Sequence, residues 1–285
     1  MLQINPSREK YKITSFIKNV LRQHGFKKVV IGMSGGVDST TAFYLLKEVV
    51  APENIIIAHL YHLNSQFGGI EDIVKKADIP KENIYEMSID PLIKTFNVHL
   101  GGVEGLMPSP PSEVKKRTHL RGGRMDSSEV DDAVNHVRLG NIMARIRMII
   151  LYDLAKKHNA LACGTENRSE FLLGYFTRFG DEASDFEPIQ HLYKTQIYDL
   201  ANFLKVPKNI IGKTPTAGLW LGQTDEKEFG FSYKEADEVL FYYYDKKLKI
   251  EEIKKKGLPN TEAIINFANK NAYKHHAPYT LEFSI

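Results

Sequence analysis

The stretch K-V-V-I-G-M-S-G-G-V-D-S-T, residues 28–40, decides the fold of this chain. Its first part, Lys28–Met33, is a short apolar run rich in β-branched residues, which predicts a buried strand. Ser34–Ser39 forms a glycine-containing turn, and Thr40–Val50 has the pattern of a helix. A strand that runs through such a turn into a helix is typical of a β-α-β unit.

The same alternation continues along the rest of the chain. Strand-like runs occur at Asn54–Leu60, Asn83–Ile89 and Ala160–Cys163, and helical patterns at Ile13–Leu21, Ile70–Ala77, Glu129–His158, Lys194–Leu204, Tyr233–Tyr244 and Thr261–Asn271. This order implies parallel strands with right-handed crossovers. We therefore expect an α/β fold with a doubly wound parallel sheet, in one domain of residues 1–285 with a helical C-terminal part.

Composition excludes several classes of protein. With 285 residues, 42% of them hydrophobic and 26% charged, the chain has an ordinary globular balance. A net charge of +3 is too weak to argue for nucleic-acid binding, and no apolar run is long enough for a membrane span. The single cysteine, Cys163, excludes an intrachain disulfide and a cysteine-based zinc site. We expect a cytoplasmic protein with neither a nucleic-acid nor a membrane partner.

Residues 100–128 interrupt the alternation. This segment is rich in glycine and proline and contains five basic side chains, Lys115, Lys116, Arg117, Arg121 and Arg124. It is interpreted as an inserted loop, either a passive solvated segment or a lid over a phosphate-bearing substrate.

The Ser34–Ser39 turn predicts an anion site. It opens a helix after a buried strand, so backbone N–H groups and the helix N-terminus converge there, with hydroxyls from Ser34 and Ser39. The turn contains no lysine, and Gly212-Lys213-Thr214 lacks the first glycine of a Walker A motif. Pyrophosphate binding through backbone and hydroxyl groups, with Asp38 available for a metal, fits this composition.

The motif S-G-G-V-D-S resembles the PP-loop of the N-type ATP pyrophosphatases. Four further segments, in order, resemble the ammonia-dependent NAD synthetases within that superfamily: Leu139–Met148 (LGNIMARIRM), Gly164–Asp181 (GTENRSEFLLGYFTRFGD), Pro188–Lys194 (PIQHLYK) and Thr214–Gly230 (TPTAGLWLGQTDEKEFG). The resemblance covers nearly the whole chain and implies the adenine nucleotide alpha hydrolase-like form of the fold.

The resemblance also implies site residues. ATP contacts fall on Gly32, Met33, Ser34, Gly35, Gly36, Val37, Asp38, Ser39, Thr165, Lys194 and Thr216. Mg²⁺ contacts fall on Asp38 and Glu170. Deamido-NAD contacts fall on Arg145, Arg178, Asp185, Lys274 and His275, although the family has lysine at position 178 and a His-Lys pair near the C-terminus.

Three of these positions also have plainer interpretations. Lys194 would otherwise be an exposed residue at a helix start, where a cation opposes the helix dipole and a phosphate partner would compensate. Lys274 and His275 would otherwise belong to a solvated tail. Asp38 is expected in an accessible crevice, so that its removal would abolish turnover at little cost in stability.

The resemblance implies ATP-dependent amidation of deamido-NAD to NAD by ammonia through an adenylated carboxylate, releasing AMP and pyrophosphate, in a homodimer that uses Mg²⁺. Free ammonia is expected as the nitrogen donor because Cys163, the only thiol, has no Cys-His motif around it. Three alternatives remain: a related enzyme amidating nicotinate mononucleotide, a tRNA-modifying PP-loop enzyme, and a non-catalytic ATP-binding module.

Overall fold

Four parallel strands form the centre of the protein. The computed structural model describes residues 2–62, 69–99, 127–216, 218, 223–276 and 278–280. The strands are β1 (Lys28–Gly32), β2 (Ile55–Tyr61), β3 (Ile84–Ser88) and β4 (Ala160–Cys163), in the spatial order β3-β2-β1-β4. Pairs such as Val30 with Ile56 and Val30 with Ala162 set the register of β1 against its two neighbours.

Twelve α-helices are present in the described residues. They are α1 (Pro6–His24), α2 (Val37–Leu46), α3 (Glu71–Lys76), α4 (Asp90–His99), α5 (Ser127–His158), α6 (Arg168–Leu173), α7 (Lys194–Phe203), α8 (Lys208–Ile211), α9 (Asp225–Phe229), α10 (Tyr233–Leu240), α11 (Ile250–Lys254) and α12 (Thr261–Asn271).

The two faces of the sheet are covered by different helices. Val29 and Ile31 of β1 point to one face, where α1, α2, α3, α7 and α8 contribute apolar side chains to a single core cluster. Val30 points to the other face and packs with residues of α4 and α5, including Met143. Because strand side chains alternate in direction, an apolar run without polar residues is buried on both sides. The doubly wound α/β fold expected from the sequence is confirmed.

The C-terminal part is helical, as expected. Helices α6, α10, α11 and α12 enclose a third apolar cluster that includes Leu173, Val239, Ile253 and Ile264. A helix was predicted over Tyr233–Tyr244. The regular α-helix ends at Leu240, because Phe241–Asp245 forms a π-helical turn after α10.

Several boundaries differ from the sequence-based expectations. Helix α2 spans Val37–Leu46 and so begins three residues before the predicted Thr40, because the helix starts directly after the extended residue Gly36. The short helix α8 was not expected, since four residues are too few for a periodic pattern. Of the predicted 100–128 insertion, residues 127 and 128 belong to α5, and residues 100–126 lie outside the described residues.

No helix in the described part of the chain combines the length and the apolar character that crossing a membrane requires.

Candidate active site

The sheet order creates a crevice between the carboxyl ends of β1 and β4. The chain leaves β1 for α2 on one face, and it reaches β4 from α5 on the other face. In doubly wound sheets, ligands bind outside the strand ends at such a switch point. Ile31 pairs with Cys163 across this boundary, so the Ser34–Ser39 turn and residues 164–167 lie side by side.

The Ser34–Ser39 turn has the conformation expected of an anion-binding loop. Gly35 has φ 79°, a left-handed conformation that glycine adopts readily. The Ser34 and Ser39 hydroxyls lie 3.1 Å apart, and the backbone N–H of Gly36 donates to Ser34 Oγ at 3.3 Å. The backbone and hydroxyl groups at the start of α2 are therefore held at one point.

Among the other predicted ATP positions, Met33 and Val37 have buried side chains in the core below the turn. They could therefore contact a nucleotide only through their backbone. Thr165 lies two residues after the end of β4. Thr216 is exposed and follows Pro215, whose carbonyl oxygen accepts a hydrogen bond from the Asp225 N–H at 3.1 Å.

Three charged side chains meet at the mouth of the crevice. The Lys194 ammonium donates to Asp38 Oδ2 at 2.6 Å and to Glu170 Oε1 at 3.2 Å. Lys194 is only 2% exposed. The interpretation of Lys194 as an exposed residue is therefore wrong: the lysine is buried at the start of α7 because two carboxylates from other elements compensate its charge.

This arrangement shifts the pKa values of Lys194 and Glu170. Burial by itself would lower the pKa of Lys194. The carboxylates of Asp38 and Glu170 raise this pKa by more than burial lowers it, so the ammonium stays charged. Burial raises the pKa of Glu170, the Lys194 ammonium opposes that rise, and the neighbouring Asp38 carboxylate adds to it. Lys194 thus holds together two carboxylates that would otherwise repel each other.

Asn167 is a residue of this cluster that the sequence analysis missed. Its Nδ2 donates to Asp38 Oδ1 at 3.0 Å, while its Oδ1 caps α6 by accepting from the N–H of Glu170 at 3.1 Å. Glu170 reaches back to the Asn167 N–H in a capping box. The spacing N-x-x-E before an apolar run was the available sequence signal.

Tyr233 and Asp225 extend the cluster and were also missed. The Tyr233 hydroxyl donates to Asp225 Oδ2 at 2.9 Å and lies 3.5 Å from Glu170 Oε1. Asp225 is buried and also accepts from the Tyr175 hydroxyl. These side chains come from α6, α9 and α10, so no local pattern could have placed them beside Glu170.

The predicted deamido-NAD residues converge on the segment that follows α6. Arg145 donates from Nη2 to the Arg178 carbonyl oxygen at 3.2 Å, and the Lys274 ammonium donates to the carbonyl oxygens of Gly174 and Phe176 at 2.7 and 2.9 Å. Asp185 lies beside β4, where its Oδ2 accepts from the Ala162 N–H at 2.7 Å.

His275 belongs to the same region. Its ring lies 4.5 Å from the ring of Phe171 and 5.6 Å from that of Phe176. The interpretation of Lys274 and His275 as a solvated tail is therefore wrong, since both contact the end of α6 and the segment after it. Burial lowers the pKa of Lys274 and of His275.

Two carboxyls, that of buried Glu166 and that of half-buried Glu187, lie behind the crevice. Glu187 Oε2 accepts from the Glu166 N–H at 3.1 Å, and the Gln190 amide donates to Glu166 Oε2 at 2.7 Å. Within the described residues, Glu166 Oε1 has no hydrogen-bond partner. Burial, together with neighbouring carboxylates, raises the pKa of Glu166 to about 9 and that of Glu187 to about 8.

The Glu166–Glu187 pair predicts a pH-dependent stability. Both carboxyls have a folded pKa above the ordinary value of 4.5, so the stability they contribute is complete below pH 4.5 and is lost as the pH rises through 8 and 9. Replacing Glu187→Gln removes one titrating proton at nearly constant shape. At pH 9 we expect this variant to be more stable than the wild type by a few kcal/mol, on the scale of about 1.4 kcal/mol per pKa unit.

Urea unfolding at pH 6 and at pH 9 measures this effect. The advantage of Glu187→Gln should shrink toward pH 6, where the wild-type carboxyl is protonated. Glu82→Gln, at an exposed position, should show no such change between the two pH values. Equal wild-type and Glu187→Gln stabilities at both pH values would contradict the assignment.

Comparison with known proteins identifies the family of this chain. The NAD synthase family matches residues 9–109 and 112–278 of the chain. An NH3-dependent NAD synthetase of Thermococcus kodakarensis is 38% identical over 275 residues, which cover 95% of each protein.

Two solved structures share the fold over nearly the whole chain. One is an NMN synthetase from Francisella tularensis, with a TM-score of 0.75 and 27% identity, covering 99% of this chain and 100% of the other. The second is an NH3-dependent NAD synthetase from Campylobacter jejuni in complex with nitrate, with a TM-score of 0.70, 28% identity and coverage of 98% and 100%. The chain therefore belongs to the NAD synthase family, whose members are ligases that form a C–N bond.

Proposed function

We propose that this protein amidates deamido-NAD to NAD, with ATP as the activating substrate and ammonia as the nitrogen donor. The observation that carries the proposal is the meeting of Asp38, Glu170 and Lys194 beside the Ser34–Ser39 turn, in a chain of the NAD synthase family. An anion-binding loop and two carboxylates thus surround one point of the crevice.

The reaction has two steps. An oxygen of the nicotinate carboxylate attacks the α-phosphorus of ATP, the bond to the bridging oxygen of the β-phosphate breaks, and pyrophosphate leaves. Ammonia then attacks the carbonyl carbon of the acyl adenylate, loses a proton, and AMP leaves with the bonding electron pair. Neither step needs a covalent bond to the protein, whose task is to position the reactants and to compensate their charge.

Asp38 and Glu170 are the residues that would hold Mg²⁺. They fit this role because the site already accommodates one cation between them, the Lys194 ammonium, and because Mg²⁺ prefers carboxylate and phosphate oxygens. When bound, Mg²⁺ neutralises charge on the phosphates. The Ser34–Ser39 turn, with its backbone N–H groups and hydroxyls, would hold the leaving pyrophosphate.

The deamido-NAD side of the proposal uses Arg145, Arg178, Asp185, Lys274 and His275. Arg145 and Lys274 both contact the backbone between Gly174 and Arg178, so two cations are held near one segment at the edge of the crevice. Those cations suit an acceptor that carries phosphates and a carboxylate.

A single assay tests the proposal. The purified protein with Mg²⁺, ATP, deamido-NAD and ammonium should produce NAD and AMP in equal amounts. Hydrolysis of ATP without NAD formation, or no turnover, would overturn it.

Nicotinate mononucleotide is a second candidate acceptor, favoured by the likeness to the Francisella tularensis NMN synthetase structure. An enzyme with either acceptor would use the same ATP residues. We expect a higher kcat/KM for deamido-NAD than for nicotinate mononucleotide when both are measured in the same assay. A higher kcat/KM for nicotinate mononucleotide would identify that compound as the acceptor.

The nitrogen donor gives a further prediction. Cys163 is buried at the end of β4, and burial raises the pKa of its thiol well above the usual value, so it does not form the thiolate needed for glutamine hydrolysis. Glutamine should not replace ammonium, and Cys163→Ser should retain most of the ammonia-dependent rate. Glutamine-driven NAD formation that is lost in Cys163→Ser would contradict this.

The proposal includes an oligomeric state and a cellular compartment. We expect a cytoplasmic homodimer, and two apolar side chains of α5, Val137 and Ile149, are more than half exposed and suit a subunit contact. Sedimentation equilibrium of the purified protein tests the dimer, and a monomer at micromolar concentration would contradict it.

A further inference from the structure

Lys213 lies over the Ser34–Ser39 turn, although it is 178 positions away from Gly35 in the sequence. Its ammonium donates to the Gly35 carbonyl oxygen at 3.1 Å. The same Nζ lies 3.3 Å from the point that a β-carbon on Gly35 would occupy. The turn, which contains no lysine of its own, thus receives one from the segment after α8.

The backbone of Lys213 is anchored independently of any ligand. Its N–H donates to the carbonyl oxygen of Ile210 at 3.2 Å, and Ile210 is fully buried in the core cluster that includes α2. The lysine residue itself is exposed, and its ammonium forms no ion pair with any carboxylate among the described residues. A cation with an accessible surface is therefore fixed beside the anion-binding loop.

The charges of the site call for such a cation. Asp38 and Glu170 carry two negative charges, and the buried Lys194 compensates only one of them. Asp225 lies next to this group: the Tyr233 hydroxyl donates to Asp225 Oδ2 at 2.9 Å and lies 3.5 Å from Glu170 Oε1. A triphosphate entering this crevice needs positive charge that is not already engaged by carboxylates, and Lys213 supplies it.

We propose that Lys213 binds the terminal phosphates of ATP and the leaving pyrophosphate, and so acts as the lysine of a phosphate loop that lacks one in its sequence. The proposal rests on the proposed use of ATP. An ammonium has three N–H donors, so Lys213 can keep its bond to Gly35 and donate the other two to phosphate oxygens. Lys194, itself one of the expected ATP contacts, keeps its hydrogen bonds to Asp38 and Glu170.

Direct binding measurements test this assignment. ATP and inorganic pyrophosphate, each with Mg²⁺ and without the acceptor, are titrated into wild-type protein, Lys213→Ala, Lys213→Arg and Lys208→Ala by calorimetry. Lys208 is exposed on α8, so its replacement removes the same charge five positions away. We expect Lys213→Ala to weaken both ligands roughly 10- to 100-fold, as for loss of a charged hydrogen bond.

The controls separate the outcomes. Lys213→Arg should recover part of the affinity, Lys208→Ala should bind like the wild type, and KM for deamido-NAD should stay near the wild-type value in Lys213→Ala. If the wild type binds ATP and pyrophosphate but Lys213→Ala binds them equally well, the lysine assignment is wrong and the proposed function stands. If the wild type binds neither, the proposed function itself fails.

Discussion

Replacing Asp38→Asn should lower the rate of NAD formation by at least about 10³-fold, the scale observed when charge stabilisation is removed from a phosphoryl-transfer or acyl-transfer site. The introduced amide would keep an oxygen for the Asn167 side chain but would lose the charge that Mg²⁺ and Lys194 require. The loss should appear in kcat as well as in the apparent affinity for Mg²⁺, measured from initial rates over a range of Mg²⁺ concentrations.

The sequence predicts that Asp38 can be removed at little cost in stability, whereas the structure predicts a larger cost. The Asp38 side chain is only 17% exposed and faces a buried ammonium, so its neutralisation leaves Lys194 with Glu170 alone. We expect the variant to lose about 3 kcal/mol of unfolding free energy in urea, near the low end for breaking a buried ion pair.

Asp72→Asn is the matched control. Asp72 also lies in the first turn of a helix on this sheet, but its side chain is exposed. This variant should keep its activity, and its stability should stay within about 0.5 kcal/mol of the wild-type value. Near-normal NAD production by Asp38→Asn at unchanged Mg²⁺ requirement would overturn the metal assignment.

Replacing Lys194→Met should have the second large effect, and it should make folding depend on Mg²⁺. Without the ammonium, the carboxylates of Asp38 and Glu170 repel each other in a poorly hydrated site. We expect a loss of about 3–5 kcal/mol in the absence of Mg²⁺. Millimolar Mg²⁺ should restore part of it, because an ion that binds only the folded state stabilises it.

Urea unfolding of Lys194→Met with EDTA and with Mg²⁺ measures the loss of unfolding free energy and its recovery. In a separate assay, the rate of NAD formation by this variant should fall at least about 10²-fold. Lys234→Met, at an exposed position on α10, is the control and should show neither effect. An unfolding free energy of Lys194→Met that equals the wild-type value with EDTA would show that the lysine does not hold the two carboxylates together.

The sheet and its anion-binding turn were predictable from local sequence patterns. The strands around Val30 and Ile56 were predictable because a short run of β-branched residues is stable only when both of its faces are buried. The turn at Ser34–Ser39 was predictable because its glycines and hydroxyls act locally, within a few residues of the strand that precedes them. Helix α6 had a local signal in the N-x-x-E spacing of its capping box, whereas the four-residue helix α8 has no periodic pattern from which it could be predicted.

The pairing of charges in the site, in contrast, depends on contacts between residues that are far apart in the sequence. Lys194 is separated from Asp38 by 156 positions, and local pattern alone assigns a lysine at a helix start to the surface. Its burial depends on two carboxylates that the crossovers of the sheet bring to the same crevice. The sequence around Lys213 does not form a Walker A motif. In the structure, Ile210 is buried in the core, and the nearby Lys213 ammonium donates to the Gly35 carbonyl oxygen. Electrostatic energy depends on distance in space, and the local pattern of the sequence reports only distance along the chain.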